Sequence, residues 1–421
     1  VRFNYKISNK LRLESRISYT NSNKEDSYTN TRTERNSNTS LLRSMAMRKA
    51  PNMSIYCYDA DCNITDEFFT PINSYQGSGR SYYNPVAMGL LSNDDKEENR
   101  IESNFSLNYR IAPGVRWMST ISYTYLNSKR NRFRPYNAIG TDWLDDDNNY
   151  ARESDESVNR IFTRNQLFLT PKLGKKHDLS GMFLFETNEE SSDYIQVTNS
   201  RTASVLLRDP STNAQFESLN SSNVMDRSMG ALAQISYKFK DMYLVTVNSR
   251  IDGVSRLGAE SRWGLFPSIS FAYRFSETSL LKQLGIFDDS KLRFSYGSTG
   301  NINGLKEYTR HATYGTLSSL SNQYYVHSAL FPKSVQLEKV KWETVTQWNI
   351  GLDLAMFKRL NFTFELYEKI TSDILWKNYD IPSSSGYSEL DLFNGGKVSN
   401  QGWEVNLRFF PVKREDFSIR F

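Results

Sequence analysis

The sequence predicts an all-β fold, a transmembrane antiparallel up-and-down β-barrel with long extracellular loops and short periplasmic turns. Three observations predict it. Apolar and polar residues alternate with a period of two along much of the chain, as in strands with one face in lipid and the other in a lumen. Short and long connections between these strands also alternate. The mean hydropathy is −0.60 and no run of about eighteen apolar residues occurs, which argues against helical membrane spans.

The period-two segments begin at the first residue. In "VRFNYKIS" (1–8), the apolar side chains of Val1, Phe3, Tyr5 and Ile7 alternate with polar ones. The pattern returns at 101–111, 115–125, 179–185, 229–239 and 403–409. We count about fourteen such segments, many of about ten residues or more, which is the length that a tilted strand needs to cross a bilayer.

One segment, "RWGLFPSISFAYRFSE" (262–277), allows a residue-level prediction. Its apolar parity is expected to face lipid and comprises Leu265, Ile269, Phe271, Tyr273 and Phe275. The opposite parity, with Ser268, Ser270 and Arg274, should face the lumen, and Tyr273 and Phe275 suit an aromatic girdle at the turn end. Because a proline removes a donor from the ladder, Pro267 is predicted at a bulge or near the outer end of the strand, where pairing can lapse.

The lengths of the connections predict which end of the barrel carries the long loops. Short turns such as "APG" (112–114), "KFKD" (238–241) and "FKR" (357–359) join strands in pairs, and long polar stretches separate the pairs. In an up-and-down sheet, this places every long loop at one end. The long stretches are 21–98, 127–158, 188–226, 298–341 and 371–397. On the turn side, Leu280, Leu281, Leu284 and Ile286 have helical spacing and predict a short amphipathic helix.

We expect residues 1–421 to form a single barrel domain that is incomplete at both ends, because the chain opens and stops within alternating segments. Residues 21–98 and 298–341 are its two longest extracellular loops. Aromatic residues make up 14% of the chain, which suits interface girdles and also an aromatic-rich soluble β-protein that binds glycans. The net charge of +5 comes from interleaved acids and bases with no basic stripe, so nucleic acid is not an expected partner.

Residue patterns for catalysis are nearly absent, and we expect no enzyme. The three histidines, His177, His311 and His327, form neither an HExxH pair nor a zinc-spaced cluster with cysteine. No cofactor is expected. A loop calcium ion is the one alternative, because Asp59, Asp61 and Asn63 have calcium-loop spacing, although Ile64 and Thr70 stand where the turn glycine and the bidentate glutamate belong.

Two sets of loop residues are candidates for binding or stabilisation. Cys57 and Cys62 could close a small disulfide loop in an oxidising compartment, or remain free thiols. Several loop aromatics could stack on sugars or line a peptide cavity, and packing of the loops against one another would explain them equally well. The candidates are Tyr82, Tyr83, Trp143, Tyr324 and Tyr325.

Several stretches resemble one family. "VNSRIDGVSRLGAESRWGLFPSISFAYRFSE" with "KLRFSYGSTGN", then "WETVTQWNIGLDLAMFKRLNFTFELYEKITSDIL", then "FNGGKVSNQGWEVNLRF" resemble, in order and spacing, the barrel of SusC/RagA-type TonB-dependent outer-membrane transporters. "YYNPVAMGLL" (82–91) is a weaker fourth match. One departure is Val254, where the family more often has a second serine beside Ser255. The resemblance is strongest over 243–410.

The resemblance implies a location, an architecture and partners. It implies the outer membrane of a Gram-negative bacterium and a 22-stranded barrel of which about fourteen strands lie here, with an N-terminal plug and closing strands outside this chain. It also implies a SusD-like lipoprotein over the mouth, energy from TonB, glycan or oligopeptide substrates, and a dimer of SusC–SusD pairs. Inward polar residues would then solvate the lumen or contact the plug; they include Arg110, Glu186, Asn349, Asp353, Glu404 and Arg408. A passive large porin and the soluble glycan-binding β-protein remain the alternatives.

Overall fold

The computed structural model describes residues 1–25, 42, 46–47, 53–69, 84–139, 149–212, 215–317, 329–387, 389–413 and 418–419. Within these ranges the chain is mostly β-structure. In chain order the strands are β1 (Arg2–Lys6), β2 (Leu11–Lys24), β3 (Tyr56–Tyr58), β4 (Ile64–Phe68), β5 (Asn93–Ala112), β6 (Val115–Arg134), β7 (Tyr150–Leu169), β8 (His177–Ser200), β9 (Gln215–Phe239), β10 (Tyr243–Val254), β11 (Trp263–Tyr273), β12 (Lys291–Asn301), β13 (Thr313–Leu317), β14 (Ala329–Ser334), β15 (Glu343–Met356), β16 (Leu360–Ser372), β17 (Leu375–Asp380), β18 (Glu389–Asn394), β19 (Lys397–Phe409), β20 (Val412–Lys413) and β21 (Ser418–Ile419).

Thirteen strands form one antiparallel sheet in the order β1-β2-β5-β6-β7-β8-β9-β10-β11-β12-β15-β16-β19. Each sheet strand pairs with the sheet strands before and after it along the chain, which is the up-and-down topology that the alternation predicts. The all-β antiparallel prediction is therefore confirmed, with thirteen wall strands where about fourteen were expected. The described sheet is an open wall whose edges are β1 and β19. The other eight strands form separate two-stranded hairpins, β3–β4, β13–β14, β17–β18 and β20–β21.

In the part of the chain that the structure describes, the helices with defined bounds are few and short. They are α1 (Pro85–Leu91), α2 (Tyr136–Ile139) and α3 (Ser279–Leu284), with short 3-10 turns at Phe275–Glu277 and Ser383–Ser385. Helix α3 lies where the leucine spacing predicts it, and Gly285 ends it in the left-handed conformation (φ 63°). None of the helices in the described ranges could span a membrane.

The two faces of the sheet differ as the alternation predicts. On β11, Leu265, Ile269 and Phe271 are exposed on the outer face, whereas Ser268 and Ser270 are half-buried on the opposite face. The prediction fails at the end of this segment, because β11 stops at Tyr273. Arg274 therefore lies in the short-turn connection, where its Nε contacts Asp289 Oδ1 at 3.1 Å, instead of facing the lumen.

A row of aromatic rings follows the short-turn end across neighbouring strands. Phe239 on β9 and Tyr273 on β11 flank Tyr243 on β10, with ring centroids 6.4 and 5.1 Å from it. Phe275 continues the row beyond the strand and meets Phe287 edge-on at 5.8 Å. Phe275 is thus half-buried against another ring and does not point freely into lipid. The predicted aromatic girdle is present at this end.

The strands extend further toward the long-connection end than the sequence predicts. Most of 127–158 and 188–226, predicted as loops, belongs to β6, β7, β8 and β9. The ends of the predicted loops 21–98 and 298–341 likewise belong to β2, β5 and β12. Polar cross-strand contacts explain the difference, because they hold the ladder together where apolar alternation has ended. Examples are Arg160–Glu190 at 2.5 Å and Arg227–Glu189 at 2.7 Å.

Pro267 only partly fulfils its prediction. On one side it pairs with Ser249 of β10 in an unshifted register, in the middle of β11. On the other side the ladder with β12 begins only at Ser268, which pairs with Gly297. Pairing therefore lapses at Pro267 on the β12 side, although the strand continues to Trp263 and no bulge marks the residue.

Candidate functional site

The inner face of the wall is the candidate functional site, because its polar side chains converge there in ordered networks. Arg250 on β10 is the centre of the first network. Its Nε donates to Asp252 Oδ2 at 2.7 Å, and its Nη2 donates to Glu186 Oε1 at 2.6 Å. Glu186 on β8 also forms an ion pair with Arg164 on the neighbouring strand β7, whose Nη2 lies 3.0 Å from Glu186 Oε2. One carboxylate thus joins arginines from two other strands.

Gly230 on β9 makes this long reach possible. In register, Gly230 stands between Glu186 on β8 and Asp252 on β10. A Cβ at Gly230 would lie 2.5 Å from Asp252 Oδ1 and 2.7 Å from Arg250 Nη2, distances at which atoms overlap. Because Gly230 has no side chain, the Arg250 side chain can pass over β9 and reach Glu186 on β8.

A second network repeats this arrangement on the other side of β11. Arg293 on β12 donates from Nε to Asp353 Oδ2 and from Nη2 to Glu365 Oε1, both at 2.7 Å. Gly351 of β15 stands directly opposite Arg293, and a Cβ there would lie 2.8 Å from Arg293 Cζ. Glu365 lies one strand further, on β16, and also accepts from Asn349 Nδ2 at 3.2 Å. We call these two arrangements the arginine bridges.

A cavity of about 740 Å³ opens on the inner face beside the first bridge. Its lining combines polar side chains with aromatic rings. Polar members include Glu186, Gln234, Asn248, Arg250, Asp252, Ser268 and Ser298, and the rings are Phe162, Phe266 and Trp342. Phe266 and Trp342 meet edge-on at 5.4 Å, and the Phe266 ring covers Gly264 and Gly300. The cavity therefore combines charged groups, amides and ring faces, which is a surface suited to polar ligands with apolar patches.

Packed connections adjoin this cavity at Val254. Leu257, Leu305 and Leu392 are buried together with Val254 and Val340, so that three different connections share one small apolar cluster. Val254 also lines the cavity. Arg256 ties the same region together electrostatically, since its Nη2 lies 3.0 Å from Asp226 Oδ2 and 3.1 Å from Glu307 Oε1. These contacts fix the rim at the long-connection end.

The predicted inward residues mostly belong to these features. Glu186 and Asp353 are members of the arginine bridges, and Asn349 supports the second one. Glu404 and Arg408 line a smaller inner cavity of about 430 Å³ with Glu365. Arg110 lies exposed near the short-turn end of β5. Sequence reasoning missed Arg250, Arg293 and their glycines, although a glycine inside a strand signals close approach of another group and could have found them.

The predicted loop aromatics, Tyr82, Tyr83, Trp143, Tyr324 and Tyr325, all lie outside the described residues. His327 lies outside them as well, whereas His177 Nδ1 contacts Tyr237 Oη at 2.7 Å in the short-turn belt and His311 is exposed. The part of the 82–91 match that is described has a structural role: Asn84 caps α1 and its Nδ2 donates to Ile55 O and Phe69 O, which joins the helix to the β3–β4 hairpin.

The two cysteines are free thiols in this structure. Cys57 lies half-buried on β3 with its Sγ 3.6 Å from Phe68 O, whereas Cys62 is exposed in the turn at φ 61°. The turn between them is organised by Asp59. Its Oδ1 accepts from the backbone N–H groups of Asp61 and Asn63, at 3.0 and 2.8 Å, without any bond between the cysteines.

The same Asp59 is the first residue of the calcium-like spacing. Its Oδ2 accepts from Asn63 Nδ2 at 3.2 Å, so the carboxylate is engaged within the turn. Among the described residues, no three His, Cys, Asp or Glu side chains come close enough to hold a metal ion. Hydrogen bonds from Asn63 lower the pKa of Asp59 below its ordinary value, with the backbone bond the largest contribution.

The chain is similar in sequence to a family of outer-membrane receptors. The family model described as "TonB dependent receptor-like, beta-barrel" matches residues 19–420. The chain is 30% identical over 400 residues to TonB-dependent receptor P39 of Formosa agariphila, covering 90% of this chain and 34% of the relative. It is 25% identical over 376 residues to TonB-dependent receptor SusC of Bacteroides thetaiotaomicron, covering 86% of this chain and 36% of SusC. The chain thus spans about a third of the length of these relatives.

Solved structures share the fold. The RagAB peptide transporter superposes over 100% of this chain and 44% of its own, with a TM-score of 0.75 and 17% identity. The Escherichia coli outer membrane transporter YddB gives a TM-score of 0.54 at 10% identity, over 100% of this chain and 46% of its own. At these identities the likeness concerns the architecture of the wall.

Proposed function

The chain belongs to the TonB-dependent receptor-like β-barrel family of the outer membrane of Gram-negative bacteria, and from that premise we propose that it forms part of the wall of an active importer. The imported molecules are large nutrients, glycans or oligopeptides. TonB supplies the energy through a plug outside this chain, and a SusD-like surface lipoprotein caps the mouth. Two such pairs associate as a dimer.

The observation that carries this proposal is the contrast between the two faces of the wall. The outer face presents apolar residues such as Ile269 and Phe271, whereas the inner face carries the arginine bridges. Charged side chains that are paired in this way keep the inner surface polar, and few of their charges are left unpaired to bind ions. Such a face suits a lumen that holds water, plug and cargo behind a lipid-facing shell.

The proposed substrate class draws support from one similar structure with a named cargo and from the lining of the inner cavity. RagAB is named as a peptide transporter, and SusC is a curated relative over most of this chain. The inner cavity, which is lined by Asp252, Gln234 and Phe266, offers hydrogen-bonding groups and a ring face to either class. We therefore propose a cargo that is too large for ordinary porins and that has both polar and apolar surface.

The test uses cells that express the full-length protein. Labelled oligosaccharides and labelled oligopeptides are offered to wild-type cells, to cells lacking the protein, and to cells lacking TonB. Uptake of one class that requires both the protein and TonB supports active import. Uptake that requires the protein but persists without TonB would indicate a passive porin, and recovery of the protein in the soluble fraction without detergent would indicate the glycan-binding alternative.

The partner is tested separately. Affinity purification of the tagged full-length protein in mild detergent is expected to recover a surface lipoprotein in a one-to-one ratio, with a mass for the complex that corresponds to two pairs. A protein that purifies alone at endogenous expression levels would contradict the proposed lid.

A further inference from the structure

A notch in the outer rim of the wall forms where strand length drops abruptly. β9 has 25 residues and β10 has 12, and their pairing ends at Ser228 and Val254. Ser255 fixes the first residue beyond this point, because its N–H donates to Arg227 O at 2.8 Å and its Oγ accepts from Arg227 N–H at 3.0 Å. Tyr308, from the β12–β13 connection, accepts from Met225 N–H at 3.1 Å and closes the notch from the other side.

An outward-facing cavity of about 510 Å³ occupies this notch. Its lower part is apolar: Ile161, Met229 and Trp263 line it and are 47%, 45% and 51% exposed on the outer face. The Trp263 ring packs against Gly253, where a Cβ would lie 2.5 Å from the nearest ring carbon. The apolar floor is thus continuous with the lipid-facing band of the wall.

The upper part of the cavity is cationic. Arg227, Arg262 and Arg310 line it together with a single acid, Glu189, which pairs with Arg227 at 2.7 Å. Arg262 and Arg310 form no ion pair with any described residue, and the Nε atom of each is buried without a hydrogen-bond partner there. Buried donors are normally satisfied, so two arginines with unsatisfied donors in one cavity point to an anionic ligand.

The height of the cavity in the membrane identifies the source of that anion. Tyr273 belongs to the aromatic row at the short-turn end, and Trp263 begins the same strand at its other end, ten residues away. At a rise of about 3.3 Å per residue and a tilt of about 40°, this separation corresponds to ~25 Å along the membrane normal. That distance matches the apolar band of a transmembrane barrel, so the three arginines lie at the level of the outer-leaflet headgroups.

We propose that Arg227, Arg262 and Arg310 bind the phosphate groups of an anionic lipid of the outer leaflet, whose acyl chain packs on Ile161, Met229 and Trp263. Arginine forks match phosphate oxygens in geometry and charge. A free phosphate ion would use the cationic part of the cavity but would leave the apolar floor uncovered. The site is on the outside of the wall and is independent of the cargo proposed for the inner face.

The experiment uses the full-length protein, stripped of lipid and held in neutral detergent. Binding of diphosphorylated lipid A, of its dephosphorylated form and of inorganic phosphate is measured by native mass spectrometry and by calorimetric titration. We expect the phosphorylated lipid to bind at least tenfold more tightly than either of the other two. Equal binding of both lipids, or binding of inorganic phosphate as tight as that of the lipid, would overturn the proposal without any variant being needed.

Variants then locate the site. The double substitution Arg262→Gln with Arg310→Gln is expected to weaken binding of the phosphorylated lipid at least tenfold. The matched control is Arg208→Gln, which changes an exposed arginine in the β8–β9 connection. Heat-modifiable migration on gels verifies that each variant keeps its folded barrel. A folded double variant with wild-type lipid affinity, or a control that weakens binding as much, would refute this placement.

Discussion

Arg250 on β10 bonds to Glu186 on β8 at 2.6 Å, across the intervening strand β9. The two side chains meet over Gly230, whose missing Cβ leaves the path open. The same construction recurs where Arg293 reaches Glu365 over Gly351. Each bridge ties three successive strands together on the inner face, so the hydrogen-bonded ladder is not the only link between them. This relationship leads to the first two predictions.

Gly230→Ala is expected to destabilise the protein by about 1–3 kcal/mol, because the added methyl group would overlap Asp252 Oδ1 and Arg250 Nη2 and force the bridge apart. The control is Gly181→Ala, also within a strand of the wall, where the nearest atom to the new Cβ lies at 3.6 Å and no clash arises. Urea unfolding in detergent micelles measures both. Equal midpoints for the two variants would show that Gly230 is not required for the crossing.

Arg293→Lys should weaken the second bridge, because a lysine ammonium cannot hold Asp353 and Glu365 with the planar fork that arginine offers. We expect a loss of about 1–2 kcal/mol in the free energy of unfolding. Arg160→Lys is the matched change in a more exposed pair with Glu190, where the cost should stay below about 1 kcal/mol. If both changes cost the same, the partly buried bridge is no stronger than a surface pair.

Pro267→Ala should change stability by no more than about 0.5 kcal/mol, because the ladder with β12 is already absent at this residue and a restored N–H has no strand partner on that side. Ile269→Pro is the contrasting substitution. Ile269 pairs with Val247 on one side and Tyr296 on the other, so a proline there should cost about 3 kcal/mol or prevent assembly. Fraction folded on heat-modifiable gels measures both, and a tolerated proline at 269 would contradict the role assigned to the lapse at 267.

The turn of the β3–β4 hairpin should depend on pH through Asp59. Hydrogen bonds from Asn63 lower the pKa of this carboxyl below its ordinary value of 3.8, so its contribution is complete at neutral pH. The contribution of Asp59 to the stability of the turn is lost as the pH falls through the lowered pKa of the folded state. Protonation then removes the negative charge of the carboxylate that accepts the hydrogen bonds of the turn. The protection factors of the Asp61 and Asn63 amides, which are exchange rates corrected for the intrinsic effect of pH, should therefore fall in acid. In Asp59→Asn, which does not titrate, that fall in protection should be absent; an identical fall in both proteins would assign the acid response to another group.

The sequence predicts the wall well because alternation reports which face each side chain occupies, as Ile269 and Ser270 illustrate. It predicts the strand ends poorly. Asn127 and Asp155 look like loop residues, yet a side-chain bond of 2.7 Å joins them across β6 and β7. Such pairs depend on register, which a single chain segment does not reveal. The arginine bridges were missed for a related reason, since Arg250 and Glu186 are 64 residues apart and meet only through a strand between them.

The long polar ladder at the outer end also affects how susceptible the exposed part of the protein is to proteases. β9 is 25 residues long, about 80 Å at about 3.3 Å per residue, whereas crossing the bilayer core at a typical strand tilt of about 40° requires about 40 Å. The remainder stands in the medium as paired backbone rather than as loose chain. Proteases cleave segments that can be drawn out of hydrogen-bonded structure, so this part of the cell surface should survive digestion that trims ordinary exposed loops.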